Sequence, residues 1–192
     1  MTLVEKVKKL ISMAKFHKEI QEYLNQSTNL QNYAFYKNEA IKEIIDFDFS
    51  ERGTFSNQFN GCAGIERIVI ENHIATNYAR AFTGCSGLKS VKTLDFTYVS
   101  NTSGWLSGCD AVEEILFETE TISISLSVPC PKLTAKSVQN IFDGLSSTAT
   151  GKTLTLPPAF ENDDAEAVVT ANIEEVDGLK RIKGKEGWSL VR

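Results

Sequence analysis

Basic stretches, long apolar runs, paired cysteines and histidines are all scarce in this chain of 192 residues. Its 20 lysines and arginines are outnumbered by 25 aspartates and glutamates, a formal net charge of -5. Phosphate recognition needs a basic stripe, so no nucleic acid is expected among the partners. No apolar run approaches the roughly 18 residues that span a bilayer, which argues against membrane insertion. The opening MTLVEKVKKLISMAKF carries charges at Glu5, Lys6, Lys8 and Lys9. They interrupt the apolar core of a secretory signal, so no signal peptide is expected.

Catalytic and metal chemistry is thinly supplied as well. The cysteines include no Cys-x-x-Cys pair, and neither His17 nor His73 lies near enough in sequence to complete a zinc arrangement. Those two histidines are the only imidazole bases, and nothing resembles a nucleophile elbow. Gly151-Lys152-Thr153 ends like a phosphate loop, but six residues separate Gly144 from Gly151 where the motif has four. This stretch also reads as a helix entering a strand, whereas phosphate binding needs a strand that opens a helix. The acids Glu66 and Glu113 recur with a repeat described below and have a structural reason to exist. No catalytic residue, cofactor or metal is therefore assigned, and the chain is expected not to be an enzyme.

What the chain does have is a repeated phrase. Hydrophobic residues at 42% and charged ones at 23% place it among folded globular chains, and much of that apolar content is periodic. Residues 34–44 read AFYKNEAIKEI, 58–68 QFNGCAGIERI, 81–91 AFTGCSGLKSV and 105–115 WLSGCDAVEEI. The second place holds Phe35, Phe59, Phe82 and Leu106, at steps of 24, 23 and 24 residues. Self-similarity at such a period marks a solenoid, in which stacked units bury a face that none could bury alone. Gly61, Gly84 and Gly108 suit a tight backbone of positive φ. Cys62, Cys85 and Cys109 follow them directly and are expected as free, buried thiols stacked one on another. Cys130, between Pro129 and Pro131, falls off that column and is expected near the surface. Short strands follow, Ile68-Val69-Ile70 and Ile115-Leu116-Phe117, with apolar residues two apart. After Val91 the third copy carries one extra residue, which shifts its register.

The pattern Ala-Phe-x-Gly-Cys-x-x-Leu-x-x-Ile at this period resembles the BspA-type leucine-rich repeat. The copies at 58 and 81 match it closely. The copy at 105 has Trp-Leu for Ala-Phe, and the copy at 34 has Lys37-Asn38 for Gly-Cys. The resemblance implies an α/β repeat solenoid, a right-handed coil of short strands, with about four repeats over residues 29–130. Residues 131–192 change language. Thr134 is a good helix N-cap, followed by Val138, Ile141, Phe142 and Leu145 at helical spacing. Thr153-Leu154-Thr155-Leu156 alternates like a strand, residues 163–182 are mostly helical in composition with an interruption at Gly178, and 187–191 close as a strand. The order Pro131-Lys132-Leu133-Thr134, helix, Thr153–Leu156, helix and Lys185–Leu190 resembles the α/β capping segment after such repeats in bacteriophage tail and tail-fibre proteins.

Residues 1–28 read as a helical arm. Leu3, Val7, Leu10 and Ala14 fall at heptad spacing, which fits either a lid over the open end of the coil or a seam that assembles copies. A polar connector, 26–32, separates the arm from the repeats and favours assembly. Fibrous phage components are often trimers, so the resemblance implies a homo-oligomer, with three chains favoured. With the apolar strand residues turned inward, Arg67, Val69, Glu71, Glu114, Leu116 and Glu118 form the candidate partner-binding face. The expected function is that of a non-enzymatic structural or interaction protein of a phage particle, located in the virion and meeting other virion proteins or a host surface receptor. The alternative is a bacterial leucine-rich-repeat interaction or adhesion module.

Overall fold

Apolar residues at matching places in successive copies build the first sheet. In the computed structural model, which describes residues 18–19, 35–45, 53–70, 73 and 75–192, four parallel strands lie side by side in chain order. They are β1 (Glu43–Ile44), β2 (Arg67–Val69), β3 (Ser90–Leu94) and β4 (Glu114–Phe117). Ile44, Ile68, Val91 and Ile115 face one another across the register and are all buried. Burying one such side chain stabilises by about 1.5–3 kcal/mol. Between Val91 and Leu94 the register shifts: these residues face Ile115 and Phe117, so three steps on β3 match two on β4. The extra residue of the third copy is thus absorbed as a bulge, and Leu94 and Phe96 remain in the core.

Opposite the strands, the aromatic openings make a second set of rows. Phe35 stacks on Phe59 at 5.3 Å and Phe59 on Phe82 at 5.7 Å between ring centroids. Backbone N–H groups carry each copy into the next: Phe59 to the Ala81 carbonyl at 3.0 Å, Phe82 to that of Trp105 at 2.9 Å. Gly61, Gly84 and Gly108 have φ of 75°, 72° and 74°, the left-handed conformation that glycine takes without steric cost. Lys37 holds the same place in the first copy at φ 54°, as a side chain forced into a conformation that costs an L-residue about 1–2 kcal/mol.

The thiols lie inside these rows as a ladder. Cys62, Cys85 and Cys109 donate to the carbonyls of Phe35, Phe59 and Phe82 at 2.8, 3.0 and 2.9 Å. Cys130 corrects the expectation of a surface position: it is fully buried. It belongs to the same buried core cluster as Cys62, Cys85 and Cys109. Its flanking prolines hid this, since they read as a surface turn. Burial pushes all four thiols up, Cys109 to about 12, so at pH 8 none supplies the reactive thiolate. Thiol titration of the native protein is expected to label none of the four, and all four in denaturant. Rapid native labelling of any of them would contradict the ladder.

A helix closes the free edge of β4. Thr134 caps α1 (Ala135–Gly144), its hydroxyl accepting from the Ser137 N–H at 3.3 Å. One helical turn then aims polar side chains at the strand. Ser137 Oγ accepts from the Ile115 N–H at 3.1 Å, and Asn140 Oδ1 from the Phe117 N–H at 2.6 Å. Asn140 Nδ2 returns a bond to the Phe117 carbonyl at 3.2 Å. These bonds replace those of a further strand, which an open edge would seek from another chain.

The second sheet has the order β5-β6-β9-β8-β7, from β5 (Leu126–Ser127), β6 (Lys152–Thr155), β7 (Ile173–Val176), β8 (Leu179–Ile182) and β9 (Lys185–Val191). It starts at Leu126, within the stretch assigned to the repeats. Between β6 and β7 runs α2 (Asp163–Asn172), capped by Asn162 and acidic in its first turn, as the helix dipole favours. The helical expectation for 163–182 is corrected: the helix stops at Asn172, and a hairpin follows in which Val176 faces Leu179. Asp177 and Gly178 make its turn with φ of 52° and 73°, the two positive values of a type I′ turn. The described residues are therefore α/β, with these two sheets and two helices and no closed barrel. Of the arm, Lys18 and Glu19 are helical; Leu3, Val7, Leu10 and Ala14 lie outside the described residues.

Candidate functional site

The outer face of the first sheet gathers four of the six residues expected to meet a partner. Arg67 and Glu114 sit in one row, Glu43-Arg67-Ser90-Glu114, set by the strand register. Val69 pairs with Lys92, and Leu116 lies opposite the bulge; both apolar side chains are half-buried. Glu118 is exposed just past β4, its N–H donating to the Leu94 carbonyl at 2.9 Å. Glu71 lies outside the described residues.

Charges on this face neutralise one another across the copies. Arg67 meets Glu43 at 3.3 Å, Lys92 meets Glu114 at 2.7 Å, and Lys89 meets Glu66 at 3.4 Å on the approach to the strands. Exposed pairs of this kind stabilise by about 0–1 kcal/mol each, so they do little for the fold. They give the face a pattern of alternating sign around two small apolar spots, and a partner of complementary pattern would be held in register by it.

A second surface escaped the sequence reading. On the approach to copy four, a groove of about 590 Å³ opens between residues 100–104 and the strands β5 and β6. Hydroxyls and an amide line it, from Ser100, Asn101, Ser103, Ser125 and Thr153, together with Lys152. The signal was present in Ile122-Ser123-Ile124-Ser125-Leu126-Ser127, an alternation that turns leucine and isoleucine inward and serine outward.

His73 is buried between Phe55 and Tyr78, with ring centroids at 5.9 and 5.6 Å. Its Nδ1 accepts from the Ala75 N–H at 3.3 Å, so the neutral ring carries its proton on Nε2, 3.1 Å from Tyr78 Oη. Burial lowers its proton affinity, with Asp95 opposing. The folded chain thus keeps His73 neutral at a pH where the unfolded chain, titrating near 6.5, has taken up a proton. Its contribution to stability is present above that value and is lost as pH falls below it. Melting temperature is expected to drop between pH 7 and 5, and His73→Phe is expected to flatten that drop. An equal drop in both proteins would contradict the assignment. Glu120, held down to about 2 by its bond to Lys185, and Glu166, held down by Arg192, lose their contributions only in stronger acid.

Among the described residues no three histidine, cysteine or acidic side chains are grouped to hold a metal ion, and no helix is long and apolar enough to cross a membrane. Comparison with family models, with curated proteins and with solved structures returns no match.

Proposed function

We propose that the chain is a solenoid of the BspA-type leucine-rich-repeat kind and serves as a non-enzymatic structural or interaction component of a bacteriophage particle. The observation that carries this is the outer strand face. Its row Glu43-Arg67-Ser90-Glu114 repeats at the copy spacing on a sheet whose other side is fully packed. A rigid surface of this kind binds by pattern, as stacked repeats commonly do. Three acids on and beside it, Glu43, Glu66 and Glu114, are engaged by Arg67, Lys89 and Lys92.

Support for a particle comes from the segment after the repeats. The residues that resemble phage capping segments tie β9 back to the turn after α1 and to Glu120, which follows β4. Trp188 is buried and its Nε1 donates to the Ser146 carbonyl at 2.9 Å. Lys185 bonds both Glu120 and the Leu145 carbonyl. Such a cap protects the open end of a repeat stack displayed to solvent. The partner is then another virion protein or a host surface receptor, met by the strand face. Gradient fractionation of phage particles carrying the gene tests this. The chain is expected to co-sediment with infectious particles at fixed stoichiometry. Its absence from particles, with accumulation in the host soluble fraction, would favour a bacterial interaction module instead.

A further inference from the structure

The rows of backbone bonds that carry one copy into the next end at an unfilled rung. In the third copy, the N–H groups of Tyr78 and Arg80 donate to the carbonyls of Asn101 and Ser103 at 2.7 and 2.9 Å. Thr102 and Gly104 hold the same places in the fourth copy, yet among the described residues no acceptor meets their N–H groups. By the period, residues 125–127 should supply the acceptors. They have turned aside instead: Leu126 and Ser127 pair with Leu154 and Thr155 in the second sheet. The groove of about 590 Å³ is the space between these two walls.

Two features make that space a defined one. Trp105 spans it at one end, its Nε1 donating to the Ser127 carbonyl at 2.7 Å, which holds the walls at a set separation. The lining carries a single charge, that of Lys152, and no ion pair engages this lysine among the described residues. A row of N–H groups two residues apart matches the carbonyls along one side of an extended chain. A volume in this range accepts a ligand of peptide size.

We propose that this groove is a docking site for an extended, acidic segment of a partner protein, which enters as the missing rung. Its backbone carbonyls take the N–H groups of Thr102 and Gly104, and a glutamate or aspartate side chain meets Lys152. Strand addition of this type draws affinity from the main chain and specificity from the side-chain contacts. The site is independent of the strand face and of any place in a virion, so its failure would leave the proposed function standing.

The test uses a display library of random linear nonapeptides selected on the full chain, with glucuronic acid titrated separately. Selected peptides are expected to be enriched in glutamate or aspartate and to slow amide hydrogen exchange at Thr102 and Gly104. Lys152→Glu is expected to weaken them by about tenfold or more, through the loss of a complementary charge. Lys152→Met, which keeps the apolar stem, should weaken them in the same direction and guards against a folding defect, as matched melting curves would show. Selection of no peptide above background would overturn the proposal. So would peptides without acidic residues, or binding that leaves Thr102 and Gly104 exchange unchanged. Glucuronic acid that perturbs those two amides as strongly as the peptides do would also overturn it, by making the groove a site for a small carboxylate.

Discussion

Phe82→Ala is expected to lower stability by roughly 3–5 kcal/mol, the usual range for truncating a buried aromatic. The side chain is fully buried and lies against Phe59, its ring tilted by 13° at 5.7 Å. Its carbonyl also accepts the Cys109 thiol at 2.9 Å, and its N–H donates to Trp105. Truncation therefore opens a cavity in the middle of three rows, where the backbone of neighbouring copies is too tightly bonded to collapse into it. For a chain of this length the loss corresponds to a fall in melting temperature on the order of 10 °C. Tyr98→Ala is the contrast: that ring is 71% exposed, and such changes stay within about 0.5 kcal/mol. Denaturant titration of both proteins reads the difference. A Phe82→Ala cost below about 1 kcal/mol would mean that the aromatic rows do not hold the copies together.

Gly187→Ala is expected to cost about 3 kcal/mol or more, at the upper end of overpacking. A Cβ built on Gly187 would stand 1.7 Å from the Ala149 carbonyl oxygen and 2.8 Å from the Thr150 Cα. Both are backbone atoms, so no rotamer change relieves the clash. The strand β9 would have to move away from β6, where Trp188 faces Lys152, and the buried indole would lose Ser146. Equilibrium unfolding followed by tryptophan fluorescence should show both the loss and a red-shifted native spectrum. Gly178→Ala is the milder change, since nothing lies within 4 Å and only its φ of 73° opposes a side chain. Equal costs for the two variants would contradict the close approach of β9 to residues 149–150.

The features legible in the sequence were those that repeat or that carry local chemistry. Phenylalanine, glycine and cysteine at a period of 23–24 residues announced the stacked rows. The extra residue after Val91 announced a disturbed register, and the structure resolves it as a bulge between Val91 and Leu94. Thr134 announced its helix through capping. What was missed depended on partners distant in sequence. Ile173-Glu174-Glu175-Val176 has the composition of a helix, but its pairing with β8 decides its state; Gly178 marked an interruption there, and its role as half of a hairpin turn with Asp177 did not show. Cys130 was misplaced for a similar reason: prolines on both sides describe its backbone and say nothing about what packs over it. Of the candidate face, Arg67, Val69, Glu114 and Leu116 followed from strand alternation alone. Their ion pairs with Glu43 and Lys92 needed the register, and the groove beside Lys152 needed the departure of β5 from the period.

Assembly is where the proposed function is most exposed to measurement. A displayed repeat body carried by an arm should exist as several copies held by residues 1–28, and multi-angle light scattering reads that mass directly. The full chain is predicted to be an oligomer, with three copies favoured, and a chain beginning at Gln31 to be a folded monomer with the same thermal transition. A full-length monomer whose stability falls sharply on that truncation would make the arm a lid over the first copy and contradict the account.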